Sequence, residues 1–369
     1  MTARTTLAIN AGSSSVKCAL FTFEAEPRAL RRETIDAAGS SSAPRLFDWI
    51  DAHVPRDSLQ AIGHRIVHGG PDHVQPQVVT DTLLHDLETL IPFAPNHLPD
   101  AIALMQSIGD RQPQVPQVAC FDTAFHAALP ERTRYLPIPR AYAEQGLRRY
   151  GFHGLSYEFL VRELERIAGP EAASGKVILA HLGNGSSLAA LGNRRSLDTT
   201  MGFTPIGGVV MSTRSGDLDP GVVTYLARRD GLTPEQVEHL LSHESGLLGL
   251  SGVSGDMRVL LEREPHDARC RLAVDVFVYS VTTAIGALAA GLGGLETLVF
   301  AGGIGEHAPV LRARICNGLE FIGIQLEASR NDANAAVISS THSRVAVRVI
   351  PTDEEITIAR AAFNTVSSH

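Results

Sequence analysis

Two stretches of this chain read alike: Leu7–Leu20 (LAINAGSSSVKCAL) and Ile178–Leu191 (ILAHLGNGSSLAAL). Each is an apolar run, a turn built from glycine, serine and asparagine, and a second apolar run, the pattern of a buried hairpin. Two related halves, each opening on a polar hairpin, would be one way to clamp phosphates from both sides. Gly/Ser hairpins are common, so the likeness alone leaves chance as the alternative.

Around these hairpins apolar runs alternate with helical patterns. Strands are predicted at Thr6–Asn10, Val16–Phe23, Ala61–Val67, Gln117–Phe121, Lys176–His181, Leu188–Leu191, Leu298–Ala301 and Val345–Ile350. Helices are predicted at Thr82–Leu90, Asp100–Ser107, Tyr157–Ile167, Gly221–Arg229 and Pro234–Leu241. This alternation means α/β. A chain of 369 residues exceeds one small core and is expected to form two domains, with no low-complexity linker between them. The net charge of -8 argues against a general nucleic-acid binder, which shows a basic face, but permits a local arginine pocket for an anion. Cys18, Cys120, Cys270 and Cys316 lie far apart without a CxxC pair, and Met1–Thr6 has no signal-peptide pattern, so a cytoplasmic protein with reduced thiols is expected. Val276–Leu295 is free of charge over about the length of a membrane span. Its Ser280, Thr282, Thr283 and four glycines, with a strand immediately following, instead predict a buried helix of an α/β core.

Three polar glycine turns carry the chemistry. Asn10–Lys17 sets the hydroxyls of Ser13 and Ser15, an amide and the Lys17 ammonium on one turn that can hold a phosphate. His181–Ser187 offers a second, where Gly183 and Gly185 let the backbone approach an anion and Asn184 can donate. Gly302–His307, with Gly303 and Gly305, follows a strand and is predicted to open a helix at about Glu306–Cys316. Charged residues cluster at strand ends as well: Arg65 and His68 in GHRIVHGG, Asp122 in FDTAFH, His153 in YGFHG and Arg214 in STRSG. Strand ends are where α/β sheets place their sites. No GxxxxGK[ST] loop, Ser-His-Asp elbow, His/Cys metal cluster or Rossmann GxGxxG with its acid occurs. Phosphate cradles with arginines, one histidine and the acids Asp122 and Glu354 suit phosphoryl transfer, where positioning and charge neutralisation dominate. A carboxylate acceptor, already ionised at neutral pH, would need no general base, whereas a sugar hydroxyl would benefit from one.

Taken in order, NAGSSSVK, GHRIVHGG, FDTAFH, YGFHG, HLGNGSS, MGFTPIGG, GVSGDMR, GGIGEH and PTDEE resemble the acetate kinase family, within the acetate and sugar kinase, heat-shock-protein and actin superfamily. The match runs from Asn10 to Arg360. The resemblance implies two actin-like, ribonuclease H-like domains with a cleft between them, residues 1–125 with 356–369 and residues 126–355. The second would bind nucleotide and make a homodimer. It also implies reversible phosphoryl transfer from Mg-ATP (or Mn-ATP) to a short-chain carboxylate. Arg65 and Arg214 would hold the carboxylate and the phosphoryl group in flight, and His153 would donate to that group. Asp122 would orient the substrate side or the arginines. Asn10 and Glu354 would support Mg²⁺ and the phosphates. Asn184 and Gly305 would contact the nucleotide phosphates, with His181, Gly185 and Gly303 in the same turns. Asp256, Met257 and Arg258 would line the adenosine pocket, and Val67 and Pro205 the pocket for the substrate methyl.

The family usually reads APLHNP where this chain has APNHLP, so Asn96 falls where a leucine walls that pocket. Either the pocket becomes more polar or Asn96 turns away and Leu98 fills in. Tyr157, Ser212 and His307 replace a usual histidine, glycine and asparagine. A propionate kinase or a kinase for another small acid is the near alternative, followed by a sugar kinase of the same superfamily and a non-catalytic nucleotide-dependent switch.

Overall fold

The computed structural model describes residues 4–12, 15–36, 42–55 and 57–368. They divide into two compact units: unit 1 comprises residues 1–127, 152–159 and 353–369, and unit 2 comprises residues 128–151 and 160–352.

Unit 1 is built on a six-stranded sheet of β1 (Thr5–Ala11), β2 (Ser15–Thr22), β3 (Ala29–Asp36), β4 (Leu59–Ile66), β5 (Gln77–Val78) and β6 (Gln117–Phe121), in the order β3-β2-β1-β4-β6-β5. Unit 2 carries β7 (Val177–Leu182), β8 (Ser186–Gly192), β9 (Arg195–Thr199), β10 (Thr297–Ala301) and β11 (Ala346–Val349), in the order β11-β10-β7-β8-β9. β1 pairs antiparallel with β2 and parallel with β4, just as β7 pairs antiparallel with β8 and parallel with β10. The likeness of the two hairpins therefore extends through both sheets. The strands missing from the sequence reading, β3, β5 and β9, are all edges. β3 (ALRRETID) is mostly exposed and lacks the apolar run of a strand covered on both faces.

Alternation along the central strands assigns their two faces. Leu7, Ile9 and Ile62 pack with Leu46, Trp49 and Ile50 of the helix Ser42–His53. Ala8, Ala61, Val118 and Cys120 face Ile358, Ala359 and Ala362 of the helix Glu354–Ser367. Small residues on that second face let the helix come close. A Cβ at Gly63 would sit inside van der Waals contact of Ile358 Cγ2 and 3.1 Å from the Ile358 carbonyl oxygen. The helix opens with Asp353 as N-cap, its side chain accepting from the Ile356 N–H, and carries Glu354 and Glu355 in its first turn.

In unit 2 the charge-free stretch falls in the helix Ala268–Leu292 up to its C-cap, Gly293, with Gly294 and Leu295 beyond. By length and composition this helix could cross a membrane. Its Cys270, Val274, Phe277, Val281 and Ile285 instead fill the core beneath β7, β8 and β10. The helix expected to start near Glu306 begins at Gly302, runs to His307 and gives way to a second helix, Pro309–Asn317. Pro309 cannot donate to the first helix, which explains the break.

Gly63→Ala is expected to destabilise the protein by about 1–3 kcal/mol, the range for overpacking a filled core. Urea denaturation measures this, and an unchanged midpoint would show that the helix can retreat from β4 without cost.

Candidate active site

β1, β4 and β6 run parallel, and the face under the helix Glu354–Ser367 delivers one polar residue at or just past the C-terminal end of each: Asn10, Arg65 and Asp122. Ligands of open α/β sheets bind at this end. Arg65 donates from Nε (2.9 Å) and Nη2 (2.7 Å) to Asp122 Oδ2, and from Nη1 to Asn10 Oδ1 (3.2 Å). Asn10 Nδ2 donates to Glu354 Oε2 and to Glu355 Oε1, both at 2.8 Å. Arg65 Nη1 also lies 3.9 Å from Glu354 Oε2. Lys17 stands opposite Asn10 in the β1–β2 register and is exposed. Ser15 begins β2, whereas Ser13 lies outside the described residues.

Three carboxylates around one guanidinium set the electrostatics. Burial pushes the Asp122 pKa up, Arg65 opposes the shift and Glu354 adds to it. Burial would lower the pKa of Arg65, but Asp122 and Glu354 outweigh it and raise the value. Asp122 is fully buried, and its Oδ1 has no conventional hydrogen-bond partner among the described residues. Arginine keeps its proton, and its charge opposes protonation of the buried acid. Removing either partner would strand a buried charge.

His153 joins this cluster through the backbone. Its φ is +59°, a left-handed conformation that costs a non-glycine residue free energy and is found where structure holds it for a purpose. A Cβ on the next residue, Gly154, would lie 2.9 Å from the Asp122 carbonyl carbon, so this turn presses directly on the Asp122 backbone. Beside it, the His68 ring meets Phe93 and Phe152 edge-on, with centroids 5.4 and 5.5 Å away.

In unit 2, His181 is the last residue but one of β7, and the turn closes with Gly183 N–H donating to the Gly185 carbonyl (3.1 Å). A Cβ on Gly183 would stand 4.0 Å from the Gly303 nitrogen, so the second and third glycine turns abut. Glu306 Oε1 accepts from the N–H groups of Gly302 (2.8 Å) and Thr352 (3.1 Å). The loop bearing Arg214 is tied to the same place: Ser212 N–H donates to the Asn184 carbonyl (3.2 Å). Arg214 Nη1 donates to the Pro205 carbonyl (3.2 Å), joining two of the expected residues. Burial lowers the pKa of the neighbouring His243, with His239 and Arg214 adding to the effect.

The sequence model of the acetokinase family matches residues 40–360. The chain belongs to the acetokinase family. It is 42% identical to an acetate kinase of Rhodopseudomonas palustris, with 96% of each chain covered, and 44% identical to one of Methylocella silvestris, covering 97% of this chain and 96% of the relative. Its fold matches an acetate kinase structure from Porphyromonas gingivalis with a TM-score of 0.87 at 32% identity, covering 98% of this chain and all of that one. A propionate kinase from Francisella tularensis matches with a TM-score of 0.88 at 31% identity, covering 98% and 99%.

Departures from the acetokinase pattern now have positions. Asn96 is exposed in a turn, while Leu98 is fully buried with Ile66, Leu83 and Phe121. Val67 is buried beside Arg65. Tyr157 is fully buried, its ring 5.6 Å from His126. Ser212 gains a hydroxyl 3.4 Å from Asn184 Oδ1, which the usual glycine could not supply. His307 is exposed. The Met257 side chain lies in the core, so the polar groups of GVSGDMR are Asp256 and an exposed Arg258, paired at 2.7 Å. Glu355, absent from the expected set, shares Asn10 with Glu354. Its place in PTDEE, directly after a counted acid, was the available signal. Arg32 was missed because β3 reads as surface; it ion-pairs with Asp353 and reaches Glu355 (3.4 Å).

Burial raises the pKa of Glu355, opposed by the Asn10 hydrogen bond and reinforced by Glu354. A carboxyl raised in the folded state favours the fold while protonated. That contribution is complete below the ordinary carboxyl range and is lost as pH rises through the raised value. Glu355→Gln should therefore raise the melting temperature relative to the parent at pH 8 and lose that advantage at pH 4. Equal shifts at both pH values would refute the assignment.

Proposed function

We propose that the chain is an acetate kinase, transferring the γ-phosphoryl group of ATP reversibly to a carboxylate oxygen of acetate to give acetyl phosphate and ADP. The observation that carries this reading is the state of Asp122. Asp122 is fully buried and its Oδ2 takes two hydrogen bonds from Arg65, which suits an acid that orients a guanidinium rather than one that reaches an acceptor as a base. A sugar hydroxyl would have to lose a proton; acetate would not. An acetate oxygen attacks the γ-phosphorus while the bond from that phosphorus to the bridging oxygen breaks, and ADP leaves with the electron pair. Membership of the acetokinase family and relatives named acetate kinase support the same substrate.

Unit 1 supplies Arg65, held by Asp122, to bind the carboxylate and the transferring group, with Val67 against the methyl. His153, fixed by its left-handed backbone, donates to the phosphoryl oxygens in the transition state. Unit 2 supplies Arg214 beside Pro205, and the turns with His181, Asn184, Gly185, Gly303 and Gly305 for the nucleotide phosphates. Asp256 and Arg258 flank the adenosine, and Lys17 and the Ser13/Ser15 turn add donors.

Magnesium fits the acids of unit 1. Among the described residues no three His, Cys, Asp or Glu groups gather as a self-sufficient metal cage. Mg²⁺ characteristically takes one or two carboxylates plus phosphates and water. Glu354 with Asn10 is such a partial set, and the ion when bound would neutralise phosphate charge. A homodimer is supported by the helix Ala268–Leu292, which leaves Leu272 53% and Tyr279 71% exposed. Four buried free cysteines agree with a cytoplasmic location.

A propionate or other short-acid kinase is the second reading, since Asn96 is exposed where the family usually has a leucine. Hydroxamate trapping with acetate, propionate, butyrate and a hydroxylated acid, for the parent and Asn96→Leu, separates the two. Acetate is expected to give the highest kcat/KM in the parent; preference for another acid overturns the specific name. Arg65→Ala and Arg214→Ala should each lose at least roughly 10²-fold in acyl phosphate synthesis, the scale for removing one transition-state donor. Full activity in either variant would refute the role given to that arginine, and acyl phosphate synthesis absent from the parent itself would point to a nucleotide-dependent switch.

A further inference from the structure

Among the described residues the largest fully buried side chain is a charged one. Arg312, in the helix Pro309–Asn317, is 1% exposed, with Asp332 acting on it only through its charge. A guanidinium has five N–H donors, and all are used. Nε donates to Asn331 Oδ1 (2.9 Å), and Nη2 to the Asn331 carbonyl (2.9 Å) and Asn334 Oδ1 (2.6 Å). Nη1 donates to the carbonyls of Gly305 (2.8 Å) and Glu306 (3.0 Å). Asn331 is itself buried and anchored by Nδ2 to the Pro309 carbonyl (2.8 Å). Asn334 presents its side chain from a left-handed backbone, φ +49°.

A buried cation without an anionic partner is costly, and a structural role could be filled by an apolar side chain of similar volume. What an apolar residue could not do is grip two consecutive carbonyls of the Gly302–Glu306 turn. The grip comes from below, while Glu306 Oε1 holds the Gly302 N–H of the same turn. Gly303, between them, is exposed, and a Cβ there would meet open space.

We propose that Arg312 is a positioning residue for nucleotide binding: it fixes the Gly302–Glu306 turn from behind and places a positive charge under the site of the nucleotide phosphates. This rests on the reading of that turn as a nucleotide-phosphate site. All five of its hydrogen bonds go to neutral oxygens, so the residue holds the turn and acts on nucleotide affinity while leaving the carboxylate side untouched.

The test compares Arg312→Lys and Arg312→Met with the parent by calorimetric ADP binding, KM for ATP, KM for acetate and thermal melting. Both variants should bind ADP at least about tenfold more weakly and raise KM for ATP in step, the loss expected for hydrogen bonds to a charged group. KM for acetate should stay within about twofold, a split that general loosening of the fold would not give. Folded variants with parental ADP affinity overturn the proposal, as would equal rises in both KM values. Should neither variant fold, Asn334→Gly removes one acceptor while suiting the left-handed backbone. It should weaken ADP binding about threefold, the lower end for one such bond, and no change would overturn the proposal. Gly303→Val separates the two layers of argument. If it binds ADP normally, the turn is not the phosphate site and that reading falls. If it loses ADP while the Arg312 and Asn334 variants keep it, only the role of Arg312 falls.

Discussion

The helix Glu354–Ser367 lies so close to β4 that Gly63 has no room for a methyl group. That contact decides much of unit 1. It covers the sheet face on which Asn10 and Arg65 emerge, and it lays the first turn of the helix against them. Glu354 and Glu355 thus meet Asn10 across 344 and 345 residues of sequence. A helix standing farther off would leave the acids short of the amide and Arg65 with Asp122 as its one anionic neighbour.

Each unit then handles a guanidinium drawn in from solvent in its own way. Arg65 is given a carboxylate and pulls two strand ends and an amide into one network, while repulsion among the acids keeps that network tense. Arg312 is given carbonyl and amide oxygens alone. The first arrangement carries more negative than positive charge and fixes the orientation of its guanidinium. The second satisfies every donor with neutral oxygens beneath a glycine turn. Both use the planar fork of arginine, which lysine cannot reproduce.

Central strands were readable from the chain because both their faces are covered, which forces continuous apolar runs such as those in β1, β6 and β10. Edge strands such as β3 answer to solvent on one side and resemble loops. The repeated hairpin was readable, and its extension through whole sheets was not, because pairing order leaves no local trace. In the site, residues at the ends of apolar runs (Asn10, Arg65, Asp122, His181) stood out by contrast with their surroundings. Arg312 and Arg32 did not, since a helix or edge strand with an arginine looks like any solvated surface. The left-handed backbone of His153 could be suspected from its flanking glycines, but the pressure of Gly154 on Asp122 is a tertiary fact.

Unit 1 is discontinuous, and its closing helix follows the whole of unit 2 in chain order. During synthesis, residues 160–352 are complete before Asp353 is made. Domains tend to fold as units as they emerge. The sheet of unit 1 must therefore wait with the Ala8, Ala61 and Cys120 face lacking Ile358, Ala359 and Ala362 while unit 2 is still being made. Translation order makes unit 1, although it starts first, the last to finish, and gives the nascent protein a period in which that apolar face needs protection from aggregation.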